Sequence, residues 1–424
     1  MYFIYNVLIC LAGFFVKLSA LFSRKMKLFS DGRRNVTDVI LNNIAPSDKV
    51  IWFHAASLGE YEQGLPVMEA VREAYPGYKI LLTFFSPSGY EVRKNNVVAD
   101  VTVYLPLDTR QNVRKFLDAA HPEMAIFIKY EYWPNYLKEL KQRNIDTFLV
   151  SGIFRENQVF FKWYGGFYRC ALTTFKHFFV QNEKSAALLR KLGVNQVTVS
   201  GDTRFDRVAA ILNRDNSLDF MEEFKDSKLL VVAGSTWPKD ETLLADFINR
   251  CDANVKFLFA PHNIKPEQIA GLKALLKKKT VLYSGKDGAD LADFDVMIVD
   301  TIGILTKVYS YADVAYVGGG FGNPGVHNVL EPATFGVPVV IGPNYSHFAE
   351  ATALVERGGC VSIGDQQSLD AALLRLIHGE NDRRKTGEIC RAFVEENRHA
   401  TKIIMDFLAR RRNLQTSKPT KNEN

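Results

Sequence analysis

The sequence predicts an α/β protein of two doubly wound domains facing each other across a cleft, preceded by a membrane-anchoring helix. Three observations predict it. Short β-rich runs alternate with amphipathic helical stretches in two successive series after residue 48, a polar stretch separates the series, and residues 1–22 are almost wholly apolar. A chain of 424 residues accommodates two or three domains at roughly 100–200 residues each. With 47% hydrophobic and 24% charged residues, its composition excludes disorder and fibrous repeats for the bulk of the chain.

The N-terminal segment MYFIYNVLICLAGFFVKLSALF contains only Asn6, Lys17 and Ser19 as clearly polar residues. As one helix it would run about 33 Å, enough for the roughly 30 Å hydrocarbon layer. No basic residue precedes it and no A-x-A cleavage site follows, so it is expected to stay in the mature protein rather than act as a secretory signal. Arg24, Lys25, Lys27, Arg33 and Arg34 come next, with Asp31 the one acid among them. By the positive-inside rule the folded body is cytoplasmic. A helix lying in the interface competes with a spanning one, because Asn6, Cys10, Gly13, Lys17, Ala20 and Arg24 form one small-or-polar stripe. Apolar character around most of its circumference argues against a soluble core helix. The expected anchor covers residues 1–27.

The first domain, 28–212, carries strand candidates Val50–Phe53, Lys79–Phe84, Val101–Leu105, Met124–Ile128, Thr147–Val150, Phe178–Gln181 and Val197–Ser200. Nearly continuous apolar strands separated by helices read as a parallel sheet covered on both faces. The polar stretch 213–228 is the expected linker. The second domain, 229–387, repeats the pattern with Leu229–Ala233, Val255–Phe259, Val281–Tyr283, Val296–Val299, Val314–Val317, Val337–Ile341 and Cys360–Ile363. A terminal helix over 388–412 and a disordered tail over 413–424 complete the prediction. The five cysteines are scattered and form no C-x-x-C pair, which argues against a disulfide framework or a zinc site. The net charge, 53 − 47 = +6, is too small for a nucleic-acid partner.

Doubly wound domains bind ligands outside the carboxyl ends of their strands, so the loops there are the candidate sites. His54-Ala55-Ala56-Ser57-Leu58-Gly59-Glu60 follows the first strand. Ser57-x-x-Glu60 is a capping-box pattern, yet a carboxylate in that position also suits a general base. Lys129-Tyr130-Glu131-Tyr132-Trp133-Pro134-Asn135 places Glu131 among aromatics. They either raise its pKa or simply pack. Ser86-Pro87-Ser88-Gly89-Tyr90 supplies hydroxyls after the second strand or forms an ordinary cap. In the second domain, Gly234-Ser235-Thr236-Trp237-Pro238 ends a strand and opens a helix, where free N–H groups and the dipole favour phosphate. A plain cap by Ser235 or Thr236 is the competing reading. His262 follows the next strand and either donates to a phosphate or caps. Residues 318–333 (GGGFGNPGVHNVLEPA) are rich in glycine, read as close approach of the Gly319 and Gly320 backbone to a ligand. The spacing fits neither a P-loop nor G-x-G-x-x-G. Glu331, with Asn328 before it, could accept both hydroxyls of a ribose or close a helix cap.

HAASLGE, SPSGY, YLPLD at 104–108, YEYWPN, GDTRFD at 201–206, GSTW, and HNVLEPATFGVPVVIGP at 327–343 occur in the order and spacing of the bacterial Kdo transferases, which the sequence resembles from its N-terminus to about residue 400. Kdo is 3-deoxy-D-manno-octulosonic acid. The HN-x-L-E-P block alone indicates a two-domain glycosyltransferase of the GT-B type, and S-x-G-E with E-x-W-P-N is specific to this family. The resemblance implies a GT-B fold of two Rossmann-like domains and inverting transfer of Kdo from CMP-Kdo to the lipid A precursor, a tetraacylated glucosamine disaccharide bisphosphate. It implies work at the inner, cytoplasmic membrane in lipopolysaccharide synthesis. It makes Glu60 the candidate base and Glu131 a second acid near the acceptor. Ser235, Thr236, His262, Gly319, Gly320, Asn328 and Glu331 would hold the donor, and Ser57, Ser86 and Ser88 the acceptor. Arg24, Lys25, Arg33 and Arg34 would meet lipid or acceptor phosphates. Lys129 departs from the family pattern, which often has an acid there, and Asp202 and Arg204 replace the commoner Asn and Lys. No cofactor is expected, and no tightly bound metal, because no D-x-D pair adjoins the nucleotide blocks. The alternative is a GT-B enzyme with a UDP-sugar donor, either a transferase or an epimerase. A silent membrane module that merely binds a CMP-sugar is a third reading.

Overall fold

The computed structural model describes residues 1–416, which separate into two compact units. Unit 1 comprises Met1–Arg207 with the C-terminal segment from Arg398, and unit 2 comprises Val208–Asn397.

Unit 1 is built on β1 (Lys49–Ala55), β2 (Tyr78–Phe84), β3 (Val101–Tyr104), β4 (Met124–Ile128), β5 (Asp146–Gly152), β6 (His177–Val180) and β7 (Val197–Val199). They form one sheet in the order β3-β2-β1-β4-β5-β6-β7, parallel throughout. Side chains alternate between its faces. Trp52, Leu81, Phe127 and Leu149 enter one core cluster, and Ile51, Phe53, Ile126 and Phe148 the other. The chain turns back at β1, whose neighbours are β2 and β4, so the crevice of the doubly wound fold opens at their carboxyl ends.

Unit 2 repeats the design with β8 (Leu229–Thr236), β9 (Val255–Pro261), β10 (Thr280–Leu282), β11 (Val296–Ile298), β12 (Val314–Val317), β13 (Val339–Ile341) and β14 (Cys360–Ser362). The order is β10-β11-β9-β8-β12-β13-β14, which puts its switch point between β8 and β12.

Three boundaries differ from expectation. The helix Asp219–Lys225 inside the expected linker buries Met221 and Phe224 in the core of unit 2, so the division falls at Arg207/Val208 instead of within 213–228. The expected terminal helix 388–412 is two helices, Glu380–Asn397 and Ala400–Thr416, interrupted at His399, whose φ is 140°. The second returns to unit 1, where Asp206 accepts hydrogen bonds from His399 N (2.8 Å) and Thr401 N (2.9 Å). Of the expected tail 413–424, residues 413–416 continue this helix, and the rest lies outside the described residues.

The expected anchor is also divided. A helix spans Tyr2–Ser19, and a second one, Arg24–Asp31, begins after Ser23. The first is long and apolar enough to cross a membrane by length and composition, but one side rests on unit 1. Tyr5 Oη donates to Asp108 Oδ2 at 2.7 Å, Asn135 Nδ2 donates to Asn6 Oδ1 at 2.9 Å, and Tyr2 meets Phe167 edge to face. The other side exposes Phe3, Ile4, Leu8, Leu11, Phe14, Phe15 and Leu18.

Candidate active site

In unit 1 the switch point gathers His54, Glu60 and Glu131. β1 is fully buried from Val50 to Ala55, which forces His54 to find partners inside. Its Nδ1 lies 2.8 Å from Thr83 Oγ1 and its Nε2 3.1 Å from Glu131 Oε2. Trp52 Nε1 donates to the same Thr83 hydroxyl at 2.8 Å, and Trp133 Nε1 donates to Glu131 Oε2 at 2.7 Å. Glu131 is thereby fixed from two sides, in a loop that leaves β4 through Lys129 at φ 69°. A non-glycine residue in that region is uncommon and marks a loop whose course the surroundings dictate.

Glu60 forms the capping box the spacing anticipates. Ser57 N donates to its Oε2 at 3.0 Å, at the start of the helix Leu58–Ala74. The cap does not exhaust the carboxylate. Burial, and then the negative charge of Glu131, push its pKa above the ordinary value, with His54 among the groups pulling it back. Such a group can take a proton near neutral pH more readily than an exposed glutamate. Ser86 caps the helix Pro87–Arg93, with Ser86 Oγ 2.9 Å from Ser88 Oγ, and Ser86 N donates to Ala56 O at 2.7 Å. Ser57, Ser86 and Ser88 therefore share the rim of β1 and β2. Beside Glu131 lies a cavity of about 490 Å³ lined by Tyr130, Trp133, Arg155, Phe160 and Tyr168.

In unit 2, β8 bulges at Ser235, whose φ is 53°. Thr236 turns inward, where its hydroxyl is buried and donates to Glu241 Oε1 at 3.0 Å. That hydroxyl is committed to the protein interior, contrary to the expected donor contact. The glycine-rich loop also has a different reason from the expected one. A Cβ on Gly318 would lie 2.4 Å from Ser235 O, one on Gly319 2.5 Å from Gly325 O, and one on Gly320 2.7 Å from Gly342 Cα. The close approach at these positions, Gly319 and Gly320 included, is backbone on backbone. Buried Asp240 locks the loop to β8, accepting from Trp237 N (2.9 Å), Gly319 N (3.0 Å) and Tyr316 Oη (2.7 Å).

His262 stacks on Trp237 with centroids 4.7 Å apart and lies 4.6 Å from His327. Trp237 Nε1 donates to His327 Nε2 at 3.0 Å. Burial first, then His262, lowers the His327 pKa, which keeps that ring neutral and able to accept. Glu331 accepts from Asn328 Nδ2 and from Thr306 Oγ1, each at 3.0 Å.

The cations near the N-terminus divide. Arg24 and Lys25 are exposed, and Arg34 is exposed and pairs with Asp31 at 2.9 Å. Arg33, in contrast to its expected lipid or phosphate contact, turns inward. It donates to the carbonyls of Leu105 (2.8 Å), Phe29 (2.7 Å) and Phe85 (2.6 Å), and burial lowers its pKa to about 10.

His54, Trp133, Trp237 and His327 escaped the sequence reading as site residues. The available signal was weak: a polar residue closing an apolar strand for His54, and an aromatic beside a strand-end turn for Trp237.

Two parallel seven-stranded sheets, each with its polar groups at the carboxyl edge, make this a protein of GT-B architecture. Solved structures share the fold at low identity. The UDP-GlcNAc 2-epimerase from Neisseria meningitidis bound to UDP-GlcNAc matches with a TM-score of 0.60 at 14% identity, covering 85% of this chain and 100% of that one. MurG from Acinetobacter baumannii matches with a TM-score of 0.54 at 13% identity, covering 86% and 99%. Residues 30–207 match the sequence model of the family described as 3-deoxy-D-manno-octulosonic-acid transferase (kdotransferase). The 3-deoxy-D-manno-octulosonic acid transferase of Chlamydophila psittaci is 31% identical over 320 residues, 73% of this chain and 72% of that one. That of Haemophilus influenzae is 26% identical over 382 residues, 87% and 88%. The chain belongs to the Kdo transferase family and is a glycosyltransferase of lipopolysaccharide synthesis.

Proposed function

We propose that this enzyme moves Kdo from CMP-Kdo to the lipid A precursor, with inversion, at the cytoplasmic face of the inner membrane. The observation that carries the reading is Glu60, a partly buried carboxylate with a raised pKa at the switch point of unit 1. An acceptor hydroxyl is a poor nucleophile at neutral pH. Glu60 takes its proton while the new C–O bond forms at the anomeric carbon and the bond to CMP breaks, its electron pair leaving on the phosphate. Glu131, held by His54 and Trp133, keeps Glu60 basic and orients the acceptor, with Ser57, Ser86 and Ser88 along the rim.

On unit 2, Ser235, His262, Asn328 and Glu331 hold CMP. The start of the helix Pro238–Arg250 favours the departing phosphate through its dipole. The N-terminal helix lies in the interfacial layer, its exposed apolar side toward lipid and Arg24, Lys25 and Arg34 near headgroups. Its contacts with unit 1 and its 18 residues support lying over spanning. A thermal-shift titration tests the donor class. CMP raises the unfolding temperature and UDP does not, and protection by UDP alone would move the enzyme to a UDP-sugar.

A further inference from the structure

The loop at 159–165 of unit 1 holds two aromatic side chains away from the protein. Trp163 is 91% exposed and Tyr164 55%, and their rings meet edge to face at 5.5 Å. The loop is braced rather than slack. Phe160 is buried in the core with Phe161 packed against that cluster. Arg169 Nη1 donates to the carbonyls of Phe160 and Lys162, each at 2.9 Å. Gly165 N donates to Lys162 O at 2.9 Å, and a Cβ on Gly165 would fall 1.9 Å from Val159 O. Only glycine closes this turn, and the closed turn keeps both rings in water.

Neighbouring groups indicate what covers them. Phe167, in the helix that follows the loop, packs against Tyr2 (4.7 Å) and Tyr5 (5.6 Å), which places the loop near the start of the N-terminal helix, whose other side is exposed and apolar. Cations surround this surface: Lys162 in the loop, Lys138 with its Nζ 4.6 Å from the Tyr2 ring centre, and Lys17, Arg24 and Lys25 further along. An exposed Trp and Tyr at a tip, in the unit that also exposes the apolar side of the N-terminal helix and several Lys and Arg side chains, match the chemistry of an anionic bilayer interface.

The geometry points to the Trp163–Tyr164 tip as a second membrane contact, entering the interfacial layer of an anionic phospholipid bilayer beside the N-terminal helix. Gln158, Val159 and Phe160 on the inner side of the same loop line the cavity that contains Glu131. Seating the tip holds that cavity at the lipid surface, where an acylated acceptor resides. The inference rests on the membrane reading above, and its quenching and partitioning readouts need no sugar substrate.

The full chain is mixed with phosphatidylethanolamine–phosphatidylglycerol vesicles carrying acyl-brominated phospholipid, and tryptophan emission is recorded. The chain has four tryptophans, so Trp163→Phe identifies the reporter. Brominated vesicles quench the wild type, and Trp163→Phe loses most of the quenching while still binding. The double variant Trp163→Ser/Tyr164→Ser partitions to vesicles about ten-fold less, with circular dichroism and turnover of detergent-dispersed acceptor unchanged. Equal quenching in wild type and Trp163→Phe, or unaltered partitioning of the double variant, would overturn the inference. So would a dimer in sedimentation velocity that the double variant abolishes without any quenching, since the tip would then face a second copy. Absence of Kdo transfer with quenching intact would strike the transferase reading and spare this one.

Discussion

At the scale of single residues, Glu60 closes a capping box and, in the mechanism proposed above, also accepts a proton. Glu60→Gln retains the amide oxygen that can cap, so the fold and CMP binding persist, while turnover drops by about two to four powers of ten. Near-normal turnover of the folded variant would reduce Glu60 to a cap. Its raised pKa also fixes a sign. The base must be ionised, so the rate falls as pH drops through a pKa above the ordinary glutamate range. Burial and the Glu131 charge both raise that pKa. Glu131→Gln removes the second cause and moves the acidic limb of the pH–rate profile to lower pH, and a limb that stays put or moves up would contradict the coupling. Glu60 and Glu131 were legible as candidates because each follows a strand in a loop rich in polar or aromatic groups. Thr236 was misread because nothing in a Ser-Thr pair tells which hydroxyl turns inward. The bulge at Ser235 decides it, and depends on β9 pairing on either side. Arg33 looked like its exposed neighbours, and only the carbonyls of Phe85 and Leu105, far away in sequence, commit it to the interior.

Among the elements, two of the motifs that carry the family resemblance serve as joints. Asp108 of YLPLD accepts from Asn135 N (3.0 Å), Tyr136 N (2.9 Å) and Tyr5 Oη (2.7 Å), tying the helix after Glu131 to the N-terminal helix. In GDTRFD, Thr203 Oγ1 donates to Gln63 O at 2.6 Å, and Asp206 caps the last helix. Asp206→Ala therefore costs about 0.5–2 kcal/mol, the range for a lost helix cap. Urea unfolding of the full chain measures it, and no loss would show the return of that helix to be held by packing alone. The fourteen strands of the described residues were legible because most are short, largely apolar runs, as parallel strands covered on both faces are. The helix at 219–225 was not, since its charged surface outweighs the two apolar side chains that anchor it, and the break at His399 carries no glycine or proline to announce it.

For the whole molecule, membrane attachment and transfer are separable. Deleting residues 1–22 removes the exposed apolar helix but no proposed catalytic group. More protein is then recovered in the soluble fraction and transfer slows in vesicles, with a much smaller loss on detergent-dispersed acceptor. Equal losses in both would make the segment part of the acceptor site or of the fold, as its hydrogen bonds to Asp108 and Asn135 would then require. Whether Kdo passes from CMP-Kdo to the lipid A precursor is decided by mass spectrometry of that precursor after incubation with enzyme and CMP-Kdo. The wild type is expected to form a product heavier by one or more Kdo residues, and Glu60→Gln to form it about two to four powers of ten more slowly. An unmodified precursor with the folded wild-type enzyme, or a mass gain only with a UDP-sugar, would contradict it.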